Sequence, residues 1–129
     1  MNVVLEPYFW MGSSRHGKWN AWLEFPVIVG GHAKLIEIAD RLQHDFQATI
    51  TERYPEQPSE EGKEYCWLRV GSSTLMLMRH GSDPSVGLAT ESDDVNLLLR
   101  IGRAWGVKRF VGWRWRLWRV RQFLTRSST

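Results

Sequence analysis

The chain has 129 residues, 43% hydrophobic and 24% charged, with one cysteine and a net charge of +3. Those proportions exclude wholesale disorder and an internal disulfide framework, and the length suits a single domain over residues 1–129. No apolar run approaches the roughly 20 residues of a membrane-spanning helix, and Met1–Glu6 carries no basic stretch leading into an apolar one, so a cytoplasmic chain without a signal peptide is expected.

Residues 2–10 are β-prone, Gly12, Ser13, Ser14 and Gly17 mark a turn, and residues 18–25 alternate. Trp19, Ala21, Leu23 and Phe25 share one face there, opposite Asn20, Trp22 and Glu24, so residues 2–25 read as a hairpin. Gly30-Gly31 precedes the clearest helical pattern. Leu35, Ile38, Ala39, Leu42, Phe46, Thr49 and Ile50 form one stripe at 3.6-residue spacing, which predicts a helix over 32–53, stopped by Pro55 and Pro58. Residues 55–62 make a polar acidic loop. Tyr65–Val70 and Thr74–His80 read as a second hairpin around Gly71-Ser72-Ser73. A short strand over 86–90 leads to a helix over 93–105, with Ser92 as N-cap and Gly106 as the stop. Residues 108–112 read as a strand. Residues 114–126 form a basic, Trp-rich segment that reads better as a helix than as a strand, with Trp113, Leu117, Val120 and Leu124 on one face. The expected class is therefore α+β: a mainly antiparallel sheet in the order β-β-α-β-β-β-α-β, helices on one face, two main helices and a C-terminal basic helix.

Three motifs invite chemistry. Leu75–Gly81 ends in Arg79-His80-Gly81, similar to the histidine phosphatase signature, in which His attacks phosphorus and Arg holds the phosphate. That family needs a second His downstream, and no His follows Gly81, so a turn at a strand end is the preferred reading. His16, His32, His44, His80 and Cys66 show no metal-ligand spacing, and no metal or cofactor is expected. His44 is expected to pair with Asp40 in solvent. Gly30-Gly31-His32 opens a helix and could attract an anion. Cys66, between Tyr65 and Trp67 in a strand, reads as a packed, inert thiol.

Charge is more informative. Residues 100–129 hold nine Lys/Arg and no Asp or Glu, a balance of +9, while residues 1–99 balance at −6. Two of the chain's eight Trp, Trp115 and Trp118, lie among those arginines, and a terminal helix cannot bury every face in so small a domain. Arg and Trp dominate protein-interface hot spots, so Arg114, Trp115, Arg116, Trp118 and Arg119 are the candidate partner-binding residues. The same residues could pair phosphates and stack on bases, which makes nucleic acid the alternative ligand. A membrane surface is the least favoured of the three. Glu56, Glu60 and Glu61 are a secondary candidate surface for a basic, nuclease-like partner.

The stretch from Val86 to Gly106, a short strand running into a capped helix, follows the Tyr65–His80 hairpin and a Trp-rich N-terminal hairpin. This layout resembles small bacterial immunity proteins of toxin–immunity systems, including those of type VI and contact-dependent loci. The resemblance implies a non-enzymatic protein that neutralises one toxin domain by stoichiometric binding. Many such proteins are acidic, and the basic end of this chain departs from that pattern.

Overall fold

A computed structural model of the chain describes residues 6–11, 21–28, 30–81, 84–90 and 94–111. The elements in chain order are β1 (Tyr8–Met11), β2 (Ala21–Pro26), α1 (Gly31–Phe46), β3 (Thr49–Tyr54), β4 (Lys63–Val70), β5 (Ser73–His80), β6 (Ser85–Thr90), α2 (Val95–Ala104) and β7 (Arg109–Val111). The seven strands form one sheet in the order β3-β4-β5-β6-β2-β1-β7. Every pairing is antiparallel except β1 with β7. The fold is thus α+β, with a mainly antiparallel sheet and two helices among the described residues.

Strand alternation sorts the side chains. In β2, Ala21, Leu23 and Phe25 are buried while Trp22, Glu24 and Pro26 are half-exposed. In β4, Glu64, Cys66 and Leu68 turn inward, and Lys63, Tyr65, Trp67 and Arg69 turn outward. Registers carry this parity across the sheet, so Leu23, Leu88, Leu77 and Cys66 share the inner face. Both helices pack on that face: α1 over β3 to β6, and α2 over β1, β2 and β6. Leu35, Ile38, Ala39 and Leu42 from α1 join Val95, Leu98, Leu99 and Ile101 from α2 in one core. No described helix is long and apolar enough to cross a membrane.

Three boundaries differ from the sequence expectation. The first helix ends at Phe46, not near residue 53. Gln47 adopts the left-handed conformation (φ 54°), and the Ala48 N–H donates to the Leu42 carbonyl, closing the helix in a left-handed C-terminal turn. Thr49–Tyr54 then forms β3, a strand absent from the expected order. Its Thr49, Ile50 and Thr51 are β-branched, and pairing with β4 satisfies backbone groups that an extended helix would have used. The second helix starts at Val95 with Asp94 in the cap position; among the described residues no side chain caps it, and the expected cap Ser92 lies outside them. The segment 114–126 also lies outside them.

Candidate functional site

The Arg79-His80-Gly81 motif is resolved by strand geometry. Successive β5 residues point to opposite faces, so Arg79 enters the interior while His80 sits on the outer face with its ring 6.5 Å from Tyr65. The two side chains cannot converge on one phosphate. Arg79 is only 2% exposed, and its donors are already engaged. Nε donates to Glu64 Oε1 at 2.6 Å, Nη1 to the Glu60 carbonyl at 3.2 Å, and Nη2 to the Ser59 carbonyl at 2.8 Å. Glu64 lies directly across the ladder on β4 and is itself buried. His32 Nδ1 approaches both Glu64 oxygens, at 2.8 and 2.9 Å. This His32–Glu64–Arg79 chain ties the start of α1 to two strands, and Arg79 clamps the β3–β4 loop.

The neighbouring glycines fit that clamp. A Cβ on Gly81 would sit 2.6 Å from Glu61 Cα and closer still to the Glu60 carbonyl, so only glycine lets the end of β5 lie against the loop. Gly31 lies over the aliphatic stem of Arg79. The helix start that could attract an anion has one within the chain: the His32 N–H donates to Glu60 Oε2 at 3.5 Å. Glu56, Glu60 and Glu61 are all exposed, as the secondary-surface reading requires, but Glu60 also takes this internal role.

A second lock joins the helices. Trp105 Nε1 donates to Asp45 Oδ2 at 2.8 Å, the Arg41 guanidinium lies 4.4 Å from the Trp105 ring, and Phe25 and Phe46 pack edge-on against it. His44 pairs with Asp45 at 2.7 Å, not with Asp40 one turn earlier as expected. Hydrogen bonds from His44 and Trp105 hold the Asp45 carboxyl below the usual aspartate range. Cys66 is buried and burial pushes its thiol up, which makes it unreactive in the folded chain. Among the described residues, no group of three or more His, Cys, Asp or Glu is placed to hold a metal ion.

The surface with recognition chemistry is the outer face of the sheet. No described helix covers it. Registers align two rows of side chains across the strands. One row runs Trp10, Trp22, Ala89, Met76, Trp67. The other runs Arg109, Tyr8, Glu24, Gly87, Met78, Tyr65, Tyr54. The rings gather toward the two sides of the sheet. Trp10 and Trp22 lie 6.3 Å apart, with the Arg109 guanidinium 5.5 Å from the Tyr8 ring. Burial raises the Tyr8 hydroxyl above its ordinary pKa, Glu24 adds to the rise, and Arg109 opposes it. On the other side Tyr65 and Trp67 lie 5.7 Å apart with planes 23° from parallel, and Tyr54 lies 6.4 Å from Tyr65. Between them run the small residues Gly87 and Ala89 and the side chains of Met76 and Met78.

Sequence reasoning placed Trp22 and Glu24 on the outer face and missed Tyr65 and Trp67 as surface residues. The signal was present in the alternation Lys63-Tyr65-Trp67-Arg69, because two cations of the same parity cannot be buried without partners. Arg114, Trp115, Arg116, Trp118 and Arg119 lie outside the described residues. They follow β7, which forms the β1-side edge of the sheet. The chain matches no family model, and comparisons with curated proteins and with solved structures return no significant match.

Proposed function

We propose that this chain is a non-enzymatic binding module that engages a protein partner, and that its finer role is that of an immunity-type inhibitor capturing a toxin domain in the cytoplasm. The observation that supports this reading is the β1–β7 side of the outer sheet face, where Tyr8, Trp10 and Trp22 lie beside Arg109 with no described helix over them. Arg79, the side chain best suited to hold a phosphate, is consumed by Glu64 and two carbonyls. Arg114, Trp115, Arg116, Trp118 and Arg119 continue the chain from the β7 edge and supply cationic and aromatic anchors to the same partner.

Affinity capture with mass spectrometry tests the proposal. The expected result is one protein recovered at fixed stoichiometry, with binding that persists as salt is raised. Trp115→Ala with Arg119→Ala should abolish capture while leaving the thermal transition unchanged. Undiminished capture by that variant would reject the chosen contacts. Recovery of nucleic acid in place of protein would reject the protein-partner reading.

A further inference from the structure

We infer that the outward face of β4 and its neighbours is a stacking platform for single-stranded nucleic acid, a ligand beyond the protein partner proposed above. The outward residues of β4 read Lys63, Tyr65, Trp67, Arg69: two aromatic rings bracketed by two cations along one strand. Residues two apart on a strand lie roughly 7 Å apart on one face, a spacing that consecutive bases of an unstacked strand can span. The Tyr65 and Trp67 rings are half-buried and stack on one another at 5.7 Å with planes 23° apart, a short stack that bases would extend. Tyr54 and His80 flank Tyr65 at 6.4 and 6.5 Å and widen the platform to β3 and β5. Tyr54 is 59% exposed, large for a tyrosine within a sheet.

Charge supports an anionic strand. Lys63 and Arg69 are exposed at the two ends of the ring pair, where backbone phosphates on either side of two stacked bases would fall. Neither of their side chains takes part in a described salt bridge. At the far edge of the same face stands Arg109. Duplex is disfavoured, because its bases are stacked on each other and cannot reach the rings. Two acids of this face oppose the ligand: Glu24 stands in the Tyr65 row on β2, and nearer the ring pair Glu52 lies across from Trp67 on β3. That placement gives the proposal a sign that a purely structural role for these rings does not share.

The test is fluorescence anisotropy of the full chain with a labelled oligothymidylate of about ten nucleotides, and with the same strand annealed to its complement. The single strand should bind, the duplex should bind at least tenfold more weakly, and tryptophan emission should be quenched. Trp67→Leu should weaken binding by about fivefold or more, and Trp67→Phe should restore most of the loss, because the ring is what stacks. Lys63→Gln with Arg69→Gln should flatten the dependence of log affinity on log salt. Glu52→Gln should tighten binding. Circular dichroism and thermal melts identify any variant that has lost its fold, and Trp67→Phe and Glu52→Gln each test the proposal where Trp67→Leu has unfolded. Equal affinity for single strand and duplex, binding indifferent to both Trp67→Leu and Glu52→Gln, or no binding at low salt would each overturn it. In the first case the oligonucleotide is held by charge alone, and in the second it is held elsewhere on the chain.

Discussion

Arg79→Ala offers the sharpest test of the interior. The substitution removes three donors at once. The carbonyls of Ser59 and Glu60 belong to exposed loop residues, so water can replace Arg79 there at little cost. Glu64 has no such recourse: it is 5% exposed and, among the described residues, retains only His32 as a partner. Stripping one member from a buried ion pair costs about 3–5 kcal/mol, and that single uncompensated carboxylate dominates the loss. With a urea m-value of about 2 kcal/mol per molar, the unfolding midpoint should fall by about 2 M. Glu64→Leu with Arg79→Leu removes both charges together, fills the space with apolar volume, and should recover more than half of the loss. The assay is equilibrium urea unfolding followed by tryptophan fluorescence for the four corners of that cycle. A coupling energy below about 1 kcal/mol would refute the reasoning, because Arg79 and Glu64 would then be stabilised independently of one another.

Three further outcomes are expected. Gly81→Ala should cost about 1–3 kcal/mol in a thermal melt, because its Cβ collides with the backbone of Glu60 and Glu61, which cannot rotate away as a side chain can. The Asp45 carboxyl is held below its ordinary range, so its contribution to stability is present above the unfolded value of about 4 and is lost as pH falls through the lower native value. Asp45→Asn should therefore lower the urea midpoint at neutral pH, where that contribution is present, and flatten its fall toward acid, as read by urea midpoints from pH 2 to 7 (roughly the titration range of carboxyl groups). Cys66 should resist a thiol reagent in the native chain and react at the rate of a free thiol in denaturant, since it is fully buried and its pKa is raised; fast native labelling would contradict its placement in the core.

Much of the architecture was legible in local patterns. The second hairpin was readable because Gly71 supplies the positive φ (60°) its turn needs and the strands on either side are β-prone throughout. The inward set of β2 was readable because Ala21, Leu23 and Phe25 recur at every second position and Glu24 marks the opposite face. The end of α1 was not, because Thr49 and Ile50 continue the helical stripe as well as they begin a strand. Only the β4 ladder distinguishes the two. In β4 both parities contain apolar residues, so period alone does not say whether Cys66 and Leu68 or Tyr65 and Trp67 are inside.

From sequence alone came the class of fold, the bulk of the core, the separation of charge between the two parts of the chain, and the packed cysteine. These rest on interactions between residues close in the chain, or on composition, which need no partner strand to define. Tertiary structure alone decided that Arg79 and His80 serve opposite faces, that Glu60 and Glu64 meet the start of α1, and that rings from β1, β2, β3 and β4 line one surface. Each of those facts depends on register between segments far apart in the chain, and a shift of one residue in any ladder would have exchanged the two faces of the sheet.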